Sequence, residues 1–142
     1  MMTRASGRVQ ECGTREARQR MGHARLHLEV ADLASGTSDA DLEYGPVAAS
    51  IAILAGIAAA DAACCAALGY RSRSENHRDA ADLLAKIEPG GKAAARAMRR
   101  LMGLKDSAHY GFLSLGPGEF KQAMRQATDL VEFAEEVLLR SQ

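Results

Sequence analysis

The chain has 142 residues, with 18 basic and 18 acidic side chains and a formal net charge of zero. That length fits one domain, and the charge balance excludes a globally basic nucleic-acid coat. Apolar residues are 47% of the chain, yet aromatics are only 4% and Trp is absent, so Ala and aliphatic side chains must build the interior.

Residues 1–13 read as a flexible tail, and a single domain is expected over 14–142. Arg4 and Arg8 are followed by no apolar run, so no signal peptide is expected. Cys12, Cys64 and Cys65 form no CxxC pair and are too few for a disulfide framework. Reduced thiols in a cytoplasmic protein follow, two of them in or near the core.

Thr14 can cap a first helix running to about Ala34. Met21, Ala24, Leu28 and Ala31 share one face at alternating three- and four-residue steps, and Leu26, Val30 and Leu33 are expected to widen it. A polar connection covers 35–41. Pro46 suits the first turn of a second helix, which runs to about Leu68 and stops at Gly69. This segment is apolar nearly all round, the pattern of a central helix covered by neighbours. Its length suits a bilayer, but Asp61 interrupts it and Ala contributes little transfer energy, so no membrane span is expected.

Tyr70 to Glu75 reads as a loop. Asn76 and Asp79 resemble a capping pair for a third helix that starts near His77 and buries Ala80, Leu83, Leu84 and Ile87. Pro89-Gly90-Gly91 ends it. A fourth helix begins near Lys92 and continues to about Tyr110, with Ala94, Ala97, Met98, Leu101, Leu104 and Ala108 inward and Arg96, Arg99, Arg100 and Ser107 opposite. The last helix runs from about Pro117 to Arg140, with Phe120, Ala123, Ala127, Leu130, Val131, Ala134, Val137 and Leu138 inward. No period-2 stretch predicts a strand. The fold class is therefore all-α: an up-and-down bundle of four to five helices.

Charge is unevenly distributed. Residues 31–70 hold five acidic and no basic residues, whereas 71–105 hold nine basic and four acidic residues, a local excess of +5. Arg71, Arg73, His77 and Arg99 belong to this basic block and are the candidate substrate-binding residues. Lys105 and His109 stand four apart, one turn above each other on the fourth helix, at the edge of its apolar face. Asp61, the one charge in a 22-residue apolar stretch, calls for a basic partner, with Lys105, Arg71 and Arg73 as candidates. His23 and His27 have i, i+4 spacing but Arg25 between them, so no metal site is expected. No phosphate-binding loop, nucleophile elbow or dinucleotide fingerprint is present, and no cofactor is expected.

Three stretches carry a family resemblance: the Ala-rich helix ending Ala60-Asp61-Ala62-Ala63-Cys64, the helix start Asn76-His77-Arg78-Asp79-Ala80-Ala81-Asp82-Leu83-Leu84, and Leu104-Lys105-Asp106-Ser107-Ala108-His109-Tyr110-Gly111. Over roughly Pro46 to Arg140 the chain resembles the HEPN family of small all-α domains. Active members are metal-free endoribonucleases, often toxins of toxin–antitoxin or defence systems, and usually dimers. The resemblance implies that His109 assists proton transfer, that Lys105 stands where the family's Arg stabilises phosphate charge, that Asp106 stands where its Asn sits, and that Tyr110 stands near its Tyr. It further implies a homodimer, an RNA substrate and a nucleotidyltransferase-type antitoxin partner. RNA cleavage by its own 2′-hydroxyl needs a group titrating near neutrality and a cation against the phosphorane, which His and Lys supply. Because Lys lacks the planar two-point phosphate contact of Arg, the alternative expectation is a non-catalytic HEPN-like bundle serving protein interaction or nucleotide binding.

Overall fold

The computed structural model describes residues 8–35, 44–73, 77–110 and 117–141, and only the backbone at 35, 44, 106–110 and 117. The order is β1 (Val9–Glu11), α1 (Thr14–Ser35), α2 (Tyr44–Ala67), β2 (Tyr70–Ser72), α3 (Arg78–Leu84), α4 (Gly91–Tyr110) and α5 (Pro117–Arg140). The protein is an all-α helical bundle with one small two-stranded ribbon.

Helix α2 is the axis of the bundle and packs against α1, α3, α4 and α5. Its buried face is largely Ala, including Ala48, Ala52, Ala55, Ala59 and Ala63, with Ile53, Ile57, Cys64 and Cys65 among them. Small side chains let neighbouring helices come close. At Gly56 a Cβ would collide with Leu101 Cδ2 of α4 and lie 3.2 Å from Leu130 Cδ1 of α5. Gly45–Ala67 is long and apolar enough to cross a bilayer, but 78% of its most apolar window is covered by the rest of the protein. The helix stops as expected: Gly69 has φ +83°, and its N–H donates to Cys64 O at 3.2 Å.

The inward residues of α3, α4 and α5 follow the helical period. Leu83, Leu84, Met98, Leu101, Leu130 and Val137 all belong to the core, but α3 ends at Leu84, before the expected Pro89-Gly90-Gly91 stop, and Ile87 is buried from the turn that follows it. The expectation for α1 holds only in part. Ala17, Met21, Ala24 and Ala31 are buried, but Leu26, Val30 and Leu33 are 61%, 47% and 67% exposed. At about 100° per residue these three centre on the side of α1 opposite the Met21 face, so they form a separate outward stripe instead of widening the inner one.

Two further expectations are corrected. The chain does contain strands: β1 and β2 pair antiparallel with Val9 opposite Ser72, Gln10 opposite Arg71 and Glu11 opposite Tyr70. Three residues per strand are too few to produce a period-2 signal. Part of the stretch expected to fray is thereby ordered. Cys12 and Cys65 are joined by a disulfide, with Cα atoms 5.2 Å apart, and only Cys64 is a free, buried thiol. The ribbon folds residue 12 back onto the end of α2, and Cys12 N–H donates to Gly69 O at 3.0 Å. Sequence spacing could not reveal that return.

The α3–α4 turn shows where glycine is required. Gly90 has φ +94°, and a Cβ at Gly91 would strike the backbone carbonyl of Leu84. Gly91→Ala is expected to destabilise the fold by about 1–3 kcal/mol, because a backbone group cannot yield as a side-chain tip can. Gly22, mid-helix in α1, has nothing within 4 Å of its Cβ position. Gly22→Ala should therefore stabilise by roughly 0.5–1 kcal/mol through helix propensity. Denaturant melts of the two variants should move in opposite directions.

Candidate functional site

Asp61 is 8% exposed, in the second half of α2. Its partner is Arg20 of α1, whose Nη2 lies 3.1 Å from Asp61 Oδ2. This corrects the expected choice among Lys105, Arg71 and Arg73. Arg20 follows Ala17 by three residues and precedes Ala24 by four, both buried, so it flanks the inner face of α1 and reaches α2 directly. That position relative to the buried Ala residues was the available signal. Burial pushes the Asp61 carboxyl above its usual range, opposed first by Arg20 and then by Arg71 and His77.

Arg71 is carried by β2. Its Nη1 donates to Ser72 O at 3.3 Å and its Nη2 to Gln10 Oε1 at 3.5 Å. His77 is the residue before α3 and adopts the left-handed region, φ 59° and ψ 8°, without a side-chain cap. The expected Asn76-led cap lies outside the described residues. Backbone strain of this kind in a non-glycine residue concentrates at functional positions. The His77 ring is half-buried, and its pKa is lowered, first by burial and then by the positive charges of Lys105 and Arg20, with Asp61 acting in the opposite sense. Lys105 of α4 is itself half-buried. Two arginines, from α1 and β2, and the imidazole before α3 thus act on the Asp61 carboxylate, and Lys105 of α4 acts on that imidazole.

His77 also opens onto a cleft of about 400 Å³ between α3 and α4, lined by His77, Arg78, Ala81, Asp82, Arg99, Met102 and Gly103. Arg99 Nη2 is 3.5 Å from Asp82 Oδ1, and both side chains are exposed, so the pair is weak and can exchange partners. A larger groove of about 850 Å³ lies between α1 and α5, but its polar rim is chiefly Arg18 and the Arg25–Glu135 pair. Its lining holds no imidazole or thiol, so the α3–α4 cleft is the better candidate.

The structure therefore brings His77 and Arg99 into one cleft, with Lys105, Asp61 and Arg20 within electrostatic reach of His77 and Arg71 within reach of Asp61. Arg73 is exposed and its N–H donates to Arg8 O at 2.7 Å. Asp106, His109 and Tyr110 lie on the last turns of α4, with side chains outside those described. No three His, Cys, Asp or Glu side chains converge among the described residues.

A half-buried imidazole of lowered pKa is neutral at pH 7 and can accept a proton or a hydrogen bond, while Lys105 and the arginines supply positive potential. The lowered pKa of His77 also has a consequence for stability. The unfolded chain binds the proton at pH values where folded His77 resists it, so stability is fully present above the unfolded His value and falls as pH drops through the lowered one. Thermal melts from pH 8 to pH 5 should show this loss, and His77→Gln should remove that part of it. A wild-type profile matched by the variant throughout would contradict the assignment.

No protein-family model, curated protein or solved structure matches this chain.

Proposed function

We propose that this protein is an RNA-directed, HEPN-like bundle that takes the RNA backbone into the α3–α4 cleft. The observation that carries the reading is that His77, within electrostatic reach of Lys105 and Arg20, opens onto a cleft beside Arg78 and Arg99. Lys105 faces a phosphate, Arg99 leaves the weak Asp82 pair for another, and Arg71 and Arg73 extend the positive track. Following the resemblance, His109 removes the 2′-hydroxyl proton one turn beyond Lys105, the 2′-oxygen attacks phosphorus, and the 5′-oxygen leaves as it gains a proton. The products are a 2′,3′-cyclic phosphate and a 5′-hydroxyl, with no metal taking part.

The proposal includes a homodimer formed through the outward stripe Leu26, Val30 and Leu33, which leaves on the order of 300 Å² of apolar surface open, a patch size that marks interfaces. Its i, i+4, i+7 spacing allows a second copy to pack helix against helix. Leu26→Glu should yield a monomer in sedimentation if this is so.

RNA binding is tested by fluorescence anisotropy of a labelled single-stranded RNA across a salt series. Binding should weaken steeply with salt, and Arg99→Ala should lower the salt slope by about one contact. A slope equal in wild type, Arg99→Ala and Lys105→Glu would overturn the reading. One observation favours the non-catalytic alternative: the Arg20–Asp61 pair already satisfies the buried carboxylate internally, as a packing device would. Under that alternative, Lys105→Glu lowers stability and leaves RNA binding unchanged.

A further inference from the structure

We infer that the Cys12–Cys65 disulfide is a redox-sensitive clamp that holds the arginine-bearing strand β2 beside Asp61 and so governs assembly of the cationic cluster. The inference concerns how the cluster is put together and stands whatever the cluster binds.

The connectivity carries it. Cys65 lies four residues, one helical turn, after Asp61 on α2. Cys12 follows β1 directly, and β1 pairs with β2, whose middle residue is Arg71. Gln10 of β1 accepts from Arg71 Nη2 at 3.5 Å, and Arg8 places Nη1 4.0 Å from Asp79 of α3. Arg73 N–H donates to Arg8 O at 2.7 Å, which extends the ladder toward His77. The disulfide closes a sequence separation of 53 residues. It is the covalent tie between the strand that contacts Arg71 and the helix that carries Asp61.

Without that tie β1 keeps only its short ladder to β2, the exposed Arg8–Asp79 pair, the Cys12–Gly69 hydrogen bond and the packing of Val9, while β2 itself rests on α2 and α3. Each strand has three residues, Val9 is only half-buried, and Gln10 and Glu11 are exposed. A two-stranded ribbon of this size is not stable in water unaided. The helical core, by contrast, has its own buried face along the whole of α2. Breaking the bond therefore opens the ribbon locally and spares the bundle.

Access is asymmetric. Cys12 is half-buried, whereas Cys65 is 3% and Cys64 1% exposed. A dithiol reductant is the required co-reactant. Its thiolate attacks Cys12 Sγ, the Sγ–Sγ bond breaks, and Cys65 leaves as a thiolate that takes up a proton. The second reductant thiol then attacks the mixed disulfide and releases Cys12 as a thiol. Two electrons and two protons pass to the protein, and the reductant ends as a cyclic disulfide. Cys64 does not compete as nucleophile, since burial pushes its thiol up to about 12.

The test is amide hydrogen exchange on the full chain in three states: oxidised, treated with dithiothreitol, and Cys12→Ser. Oxidised protein should carry one free thiol by alkylation and mass. Reduction and Cys12→Ser should each lower protection of the Arg73 amide by about tenfold or more while α2 and α5 retain theirs. Cys64→Ser should respond to dithiothreitol as wild type does. Three free thiols after mild oxidation would overturn the inference. So would unchanged protection at Arg73 on reduction, or a loss spread evenly through α2 and α5, which would make the bond a staple of the whole fold.

Discussion

His109→Ala should reduce RNA cleavage by about 10²–10⁴-fold, the range lost when a positioned proton-transfer group is removed. The assay is release of 2′,3′-cyclic phosphate ends from total RNA with a chelator present, because the proposed chemistry uses no metal. Binding should be retained in this variant, since the lysine and arginine side chains carry the backbone affinity. Lys105→Ala should lose both cleavage and binding, because the same ammonium meets the phosphate in the ground state and opposes the charge that builds on the phosphorane. Equal cleavage in wild type and His109→Ala would end the catalytic part of the proposal. Absent cleavage with intact, salt-dependent binding would leave an RNA-binding bundle.

The second large effect falls on stability. Arg20→Met should cost about 2–3 kcal/mol, toward the lower end for a broken buried pair because the Arg20 side chain is 32% exposed. The loss comes from Asp61, whose carboxylate would remain in a nearly closed site without its cation. The deficit should shrink as pH falls. Burial already raises the Asp61 pKa, and losing Arg20 raises it further, so the folded variant takes up a proton where the unfolded chain does not. Arg20→Met with Asp61→Leu should recover most of the loss, and urea melts at pH 7 and pH 5 on the three proteins measure this. A pH-independent deficit in Arg20→Met would show that Asp61 is not the group left exposed to the change.

The helical framework was legible because its signals are local. Gly69 as a stop, the Pro89-Gly90-Gly91 break and the inward residues of α5 follow from backbone freedom and from the 3.6-residue period. What escaped depended on contacts distant in sequence. Cys12 and Cys65 are 53 residues apart, and the strands that bring them together are too short to leave a pattern. Arg20 and Asp61 are 41 residues apart, and one Arg among six in the first 30 residues carries no mark of its partner. The outward Leu26, Val30 and Leu33 misled because apolar residues were assigned to the core by type, whereas their angular position sets them on the far side of α1. At the candidate site, Lys105 and Asp61 stood out as charges at or inside an apolar face, whereas His77 and Arg99 were marked only as members of the basic block. Their convergence through the left-handed turn at His77 is a property of the fold.

We assign the His77 imidazole, within electrostatic reach of Lys105 and Arg20, to a surface that receives RNA phosphate. NMR titration of the His77 ring with and without a short single-stranded RNA tests it most directly. A bound phosphate adds negative charge beside the ring, so the depressed His77 pKa should rise and its resonances should shift at saturation, with Lys105→Glu abolishing both changes. A His77 titration curve unchanged by saturating RNA would contradict the account.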